Sequence, residues 1–104
     1  MAATDPDPVF AALADPTRRR LIESLAREPA TATALAGELP ITRQAVAKHL
    51  AALRAAELVD VERVGREVRY TLDPGPLAEA ARWLERVEGE WDSRLDRLRA
   101  ALER

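Results

Sequence analysis

The residues with the clearest chemical potential lie in the segment TRQAVAKHL, residues 42–50, which contains the only histidine of the chain, His49. Arginine can donate two hydrogen bonds to the edge of guanine, and glutamine pairs in the same way with adenine, so Arg43 and Gln44 are candidate base-reading residues. A lone histidine supplies one nitrogen, whereas a transition-metal site needs several convergent ligands. The segment therefore favours contact with a nucleic acid over a metal or catalytic centre.

An enzyme would need a nucleophile beside a base, or two carboxylates across a cleft. The chain has no cysteine, which excludes disulfides, thiolate metal sites and cysteine nucleophiles. Ser24 and Ser93 fall in helical patterns with no plausible histidine partner, and no glycine-rich phosphate loop is present. Glu88, Asp92 and Asp96 recur every four residues, but nearby arginines favour salt bridges over a metal there. We expect no enzymatic activity, no metal and no cofactor.

Length and charge are compatible with one small DNA-binding domain over residues 1–104. The net charge is -2, but acidic residues concentrate in the last third and the middle carries many of the basic ones, and DNA contacts only one face. No apolar run approaches the ~20 residues that span a bilayer, and the first ten residues lack the segments of a signal peptide. We expect a cytoplasmic protein without a membrane partner.

Three helices are predicted before the histidine segment. Asp7 and Asp15 each precede a proline, which is the signature of a helix cap followed by the first helical residue. A third, shorter helix begins at Thr31 or Thr33 and runs to about Leu39. The third helix and the one after it are close in sequence, which predicts a helix-turn-helix.

The fourth helix runs from a cap at Thr42 to about residue 56, and Val46, Leu50 and Leu53 form its buried stripe at helical spacing. In a helix-turn-helix the second helix enters the major groove and its first residues contact base edges. His49 is also compatible with a core position hydrogen-bonded to backbone. The predicted DNA contacts on this helix are Thr42, Arg43, Gln44, Lys48 and His49.

A β-hairpin is predicted at about residues 58–73, where LVDVERV and EVRYTLD flank a Gly-Arg turn. Arg66 lies in the turn, and we expect Arg63 and Arg69 near the tip, both directed away from Val64, Val68 and Tyr70. A basic hairpin beside a recognition helix is a wing that can bind the adjacent phosphates or minor groove. The alternative is a winged helix used only for protein–protein contact, for which three arginines in the hairpin would have no purpose.

A long last helix is predicted at about residues 76–103, with apolar residues every seven positions and others between them, as in a coiled coil. A helix of about 26 residues is about 39 Å long, which exceeds so small a domain, so part of the stripe needs a partner beyond its own core. A second copy is the simplest partner. Trp83, beside the stripe, is a candidate lining for a small apolar effector. The predicted dimer-interface residues are Phe10, Leu13, Leu84, Val87, Trp91, Leu95 and Leu98.

Three segments in combination, FAALADPTRRRLIESL, TRQAVAKHLAALRAAELV and GREVRYTLDP, resemble the ArsR/SmtB-type winged-helix repressors. The resemblance implies a mainly α (α+β) winged helix-turn-helix with a hairpin wing and a long C-terminal dimerisation helix. It also implies a homodimeric repressor of a pseudo-palindromic operator in double-stranded DNA, released by an effector, and it matches Gly65 and Arg66 to the wing.

The chain departs from the family pattern at two places. Glu57 stands where glycine is usual after the recognition helix. The cysteine pairs and the histidine–carboxylate sets of the family's metal sensors are missing. The resemblance therefore implies a member that does not sense metal, whose effector the sequence leaves unknown.

Overall fold

The structure, a computed structural model, describes residues 7–103. Helices, a hairpin and a long last helix follow one another in the predicted order, and one short strand was not predicted. No helix among these residues is long and apolar enough to cross a membrane. The elements are α1 (Asp7–Leu13), α2 (Pro16–Arg27), β1 (Ala30–Thr31), α3 (Ala32–Glu38), α4 (Arg43–Ala55), β2 (Val59–Val64), β3 (Glu67–Leu72) and α5 (Gly75–Leu102).

Side-chain caps fix where α2, α3 and α4 begin. Asp15 Oδ1 accepts hydrogen bonds from the backbone N–H groups of Thr17 and Arg18, at 2.8 and 3.2 Å. The hydroxyls of Thr31 and Thr42 each accept from the N–H three residues later, at 3.1 Å. These bonds satisfy donors that a helix leaves unpaired at its first turn, and they confirm the predicted starts of these three helices.

The other two predicted caps are wrong in position. Asp7 lies in the first turn of α1 rather than before it. Asp73 precedes Pro74 and so predicts a cap for α5 in the same way, but the cap position is Pro74, one residue later, and no side chain caps it. Asp73 instead accepts a hydrogen bond from the Gly75 N–H at 2.9 Å, so the carboxylate still stabilises the chain as it enters α5. The helix then continues without a break through Gly89.

The core lies between α2, α3, α4 and the base of the sheet. The inner stripe predicted for α4 is confirmed, because Val46, Leu50 and Leu53 have no exposed surface. Ser24 on α2 is the one buried polar residue among residues 7–103, and its hydroxyl donates to Glu38 Oε2 on α3 at 2.6 Å. Apolar packing and this hydrogen bond together hold the helix-turn-helix against α2.

The three strands form an antiparallel sheet in the order β1-β3-β2. Arg63 pairs with Val68, whereas Arg69 pairs with Glu62. Directly opposite residues on neighbouring strands share a face, and successive residues alternate faces. Arg63 therefore lies on the face of Val68 and Tyr70, and Arg69 lies on the other. The prediction that both arginines point away from Val64, Val68 and Tyr70 is wrong, because Arg63 shares the face of Val68 and Tyr70 and Arg69 shares the face of Val64.

Glu57 ends α4 in the left-handed backbone conformation, with φ of 61°. Its N–H donates to the Arg54 carbonyl at 2.9 Å, and the Leu58 N–H donates to the Leu53 carbonyl at 3.0 Å. These two bonds are those of a Schellman motif, in which glycine is the preferred residue at the position of Glu57. Glu57 therefore forms the turn for which glycine is the preferred residue.

Glu57→Gly should stabilise the protein by about 1 kcal/mol, because glycine adopts positive φ without steric cost. Urea unfolding followed by circular dichroism measures the change. Ala55→Gly, two residues earlier in the last turn of α4, is the matched control and should destabilise by about 1 kcal/mol. Equal destabilisation by both glycines would contradict the strain assigned to Glu57.

Candidate nucleic-acid interface

A cleft of about 710 Å³ separates the first turn of α4 from the wing, and the start of α3 closes its third side. Arg43 and Gln44 enter it from α4, and Arg66 enters it from the hairpin turn. Both predicted base-reading residues and one predicted wing residue thus share one concave surface. The lining residues are Thr31, Ala32, Thr33, Arg43, Gln44, Ala47, Arg66, Glu67, Val68 and Tyr70.

The outer face of α4 is open along its first two turns. Arg43, Gln44 and Lys48 are exposed. Thr42 is exposed as well, and because its oxygen accepts the cap hydrogen bond, its hydroxyl proton is available to a phosphate. Ala47 is exposed and lines the cleft, so no large side chain keeps the helix away from a groove. This face has the donors and the small residues that major-groove recognition requires.

The wing arginines are exposed but are not equivalent. Gly65, with φ of 63°, turns the chain between β2 and β3 and places Arg66 at the tip. Arg69 forms a salt bridge with Glu67 at 3.4 Å, and both side chains are exposed. Such surface pairs contribute about 0–1 kcal/mol, so a phosphate can displace the carboxylate at little cost. Arg63 lies on the opposite face, so the three arginines do not form a single patch.

Thr33 and Tyr70 lie in the cleft and were not predicted as contacts. Thr33 is exposed in the first turn of α3, and Tyr70 is partly buried on β3. Both carry a hydroxyl that can donate to a phosphate oxygen. The contact of Thr33 could have been predicted, because Thr33 lies at the start of the first helix of the helix-turn-helix, and that helix crosses the DNA backbone. Nothing local to Tyr70 distinguishes it from a core aromatic residue.

His49 differs from the other predicted contacts of α4. Its side chain is partly buried, and its Nδ1 atom is buried without a hydrogen-bond partner. The alternative of a core histidine bonded to backbone does not hold for this nitrogen. The domain therefore covers part of the imidazole, including Nδ1.

The predicted dimer residues of α5 are largely exposed. Leu84, Trp91, Leu95 and Leu98 are between 46% and 57% exposed, and Ala80 is the buried residue of this helix. Val87 is partly buried. The protein body thus covers the beginning of the apolar stripe and leaves the remainder open. We name these five residues, Leu84, Val87, Trp91, Leu95 and Leu98, the α5 stripe.

The two α1 residues of the predicted interface lie beside the start of the α5 stripe. Phe10 and Leu13 are partly buried and pack against the core. The ring of Phe10 meets that of Trp83 edge-on, with 5.5 Å between centroids. Trp83 is 40% exposed, so one side of its indole packs within the chain and the other remains accessible.

Acidic residues of α5 do not converge on a metal-binding geometry. Among residues 7–103, no three histidine or carboxylate side chains are placed to share a metal ion. Asp96 instead lies 3.9 Å from Arg99 in a helical salt bridge, as the neighbouring arginines had suggested.

Comparison with known proteins identifies the class to which this arrangement belongs. A family description of a helix-turn-helix domain matches residues 13–62. The HTH-type transcriptional regulator Rv2034 of Mycobacterium tuberculosis is 45% identical over 73 residues, which are 70% of this chain and 68% of that protein. The transcriptional repressor SdpR of Bacillus subtilis is 32% identical over 76 residues, which are 73% of this chain and 84% of that protein.

A solved structure extends the similarity to the wing and α5. The ArsR-like transcriptional regulator from Rhodococcus sp. RHA1 superposes with a TM-score of 0.81 at 47% identity, covering 89% of this chain and 88% of that one. The proteins that this chain resembles are regulators of transcription rather than enzymes. The helix-turn-helix, the hairpin wing and the long last helix agree with these matches, and the chain belongs to the ArsR/SmtB family of winged-helix, DNA-binding transcriptional regulators.

Proposed function

We propose that the protein is a cytoplasmic, homodimeric repressor that binds a pseudo-palindromic operator and is released from it by an effector that is not a metal ion. The observation that carries the proposal is the cleft in which Arg43 and Gln44 of α4 face Arg66 of the wing. One concave surface thereby presents base-reading side chains beside a cation for the adjacent backbone. Domains that read DNA sequence need both kinds of contact.

Within each half-site we assign base reading to Arg43 and Gln44, since they lie at the start of α4 and face outward. Thr42 and Lys48 contact phosphates on either side of the groove. The helix start also presents unpaired N–H groups and a favourable dipole to a phosphate. Arg66 and the hydroxyl of Thr33 follow the backbone through the cleft. Arg63 and Arg69 contact different strands of the DNA, because they lie on opposite faces of the wing.

Dimerisation through the α5 stripe explains why a 28-residue helix of about 42 Å leaves most of its apolar residues uncovered. Side chains this large are rarely left exposed in a continuous row by a monomer. A two-fold axis through this surface presents two copies of α4 to successive turns of one DNA face, about 34 Å apart. An effector that alters the α5 pairing changes this separation and so the affinity for the operator.

Fluorescence anisotropy on labelled duplexes tests the proposal. The DNA upstream of the protein's own gene is compared with a scrambled duplex at two salt concentrations. We expect selective binding to the upstream duplex that weakens with salt, since each neutralised phosphate releases counterions. Equal affinity for both duplexes, or no binding to either, would contradict sequence-specific repression.

Gln44→Ala and Lys48→Ala should separate base reading from phosphate contact. Loss of the glutamine removes a bidentate contact worth about 1–3 kcal/mol, so the preference for the operator over single-base variants should narrow at one position. Loss of the lysine should weaken operator and scrambled DNA alike and reduce the salt dependence by about one counterion. Anisotropy titrations over a set of operator variants measure both effects. If Gln44→Ala lowered the affinity for all operator variants equally, Gln44 would not be a base-reading residue.

Zinc or cobalt should leave operator affinity unchanged. The chain has no cysteine, and residues 7–103 hold no cluster of three candidate ligands. Adding each metal at increasing ratios to the preformed complex, with a chelator-treated sample as the control, tests this in the same anisotropy assay. Stoichiometric release of the DNA by either metal would overturn the assignment of a non-metal effector.

A further inference from the structure

The two faces of the wing carry opposite charge. Directly opposite residues on β2 and β3 share a face, and so do residues two positions apart on one strand. The register places Glu62 opposite Arg69, so the charged residues that share this face are Asp60, Glu62, Glu67 and Arg69. All four are exposed. We name this face of the hairpin, which has three carboxylates and one guanidinium within residues 59–72, the acidic face of the wing; the charged residue of the other face is Arg63.

Glu67 is the carboxylate of this face that contacts the guanidinium. Arg69 Nη2 donates a hydrogen bond to Glu67 Oε2 at 3.4 Å. Glu62, although directly opposite Arg69, forms no ion pair among residues 7–103. Glu67 also lines the cleft, where the other charged lining residues are Arg43 and Arg66. It therefore lies at the boundary between the surface assigned to DNA and the acidic face of the wing.

A phosphate that binds Arg69 cannot escape the charge of Glu67. The ion pair is exposed, with 47% and 58% of the two side chains accessible, and such a pair is easily broken. Residues two apart on a strand are separated by only about 7 Å, which is shorter than the ~8–10 Å over which salt screens a charge. The displaced carboxylate therefore continues to repel the phosphate that has taken its place.

We propose that Glu67 is a positioning residue of the wing, which holds Arg69 along β3 and competes with the DNA backbone for it. The inference rests on the proposed function, in which Arg69 contacts one strand of the DNA. Because phosphate contacts carry no sequence information, the competition lowers the affinity for every DNA sequence by the same factor. The choice of sequence is left to Arg43 and Gln44.

Glu67→Gln should raise the affinity for DNA, because it removes the charge and keeps the shape of the side chain. We expect a gain of about threefold for each wing, and so about tenfold for the proposed dimer, on the operator and the scrambled duplex alike. The salt dependence should become steeper by about one counterion for each wing, which a merely structural role would not change. Anisotropy titrations at several salt concentrations measure both effects, and thermal unfolding verifies the fold. An unchanged or lower affinity would overturn the proposal.

Two further variants separate the competition for Arg69 from general charge repulsion. Glu62→Gln is the matched control, since it neutralises the same kind of side chain on the same face without breaking an ion pair, and it should raise the affinity less. Arg69→Gln alone should weaken binding by less than about twofold, because the arginine is already paired. In the Arg69→Gln background, Glu67→Gln should have no more effect than Glu62→Gln. A full gain without Arg69 would show that Glu67 repels DNA directly, and would overturn the positioning role.

The outcomes distinguish the inference from the function on which it rests. A gain that is confined to the operator would mean that Glu67 contacts a base edge, and would overturn the competition for phosphate. Equal affinity of the wild type for both duplexes would overturn sequence-specific repression, but a gain by Glu67→Gln on both would still support the inference. Absence of binding by the wild type and by Glu67→Gln would overturn the two together.

Discussion

Leu95→Glu should convert the proposed dimer to a monomer and weaken operator binding by about 10²–10⁴-fold, the usual gain from linking two binding modules. Leu95 is in the middle of the exposed part of the α5 stripe. A two-fold axis would bury the new carboxylate twice, and an unpaired buried charge costs several kcal/mol. Sedimentation velocity measures the association, and anisotropy on the full operator measures the affinity.

Ser93→Glu is the matched control. It adds the same charge two residues away, on the opposite, exposed side of α5, and should remain dimeric with near wild-type affinity. A single half-site duplex provides a second comparison, because the monomeric Leu95→Glu protein should bind it about as well as the wild type does. Dimerisation that survives Leu95→Glu would show that the partner lies elsewhere.

Leu50→Ala should destabilise the fold by about 2–5 kcal/mol, the range for truncating a buried leucine. Leu50 has no exposed surface and lies between Val46 and Leu53 on the inner stripe of α4. Small domains have about 5–15 kcal/mol of stability in total, so this single truncation should remove a large fraction of the free energy of unfolding. Urea denaturation measures the loss. The volume-conserving Leu50→Met should cost less than about 1.5 kcal/mol, and equal losses for both would mean that the cavity is not the cause.

The parts of the fold that depend on local chemistry could be predicted from the sequence. Thr42 caps α4 because its hydroxyl reaches an N–H three residues later, and that preference does not depend on the rest of the protein. The inner stripe of α4 has helical spacing, so its burial followed from periodicity. Arg43 and Gln44 then had to face outward, and the cleft confirms that they share a surface with Arg66.

The parts of the fold that depend on pairing between distant segments could not be predicted from the sequence. β1 has two residues, too few for any pattern, and exists only because β3 lies beside it. The faces of Arg63 and Arg69 are set by the two-residue turn that pairs them with Val68 and Glu62, and a shift of one residue in register would reverse each side chain. Periodicity likewise showed the stripe on α5 but not where along the helix the protein body ceases to cover it.

Thr31 has two structural roles: it pairs with Arg69 of β3, and its hydroxyl caps α3. The hairpin is therefore joined through the middle of β3 to the helix-turn-helix, and the chain presents α4 and the wing as one rigid block. Under the proposed mode of binding, an effector can change only the distance and angle between two blocks. We therefore expect induction to discriminate among operators by the length of their central spacer, with base preferences inside each half-site retained in the induced and uninduced states.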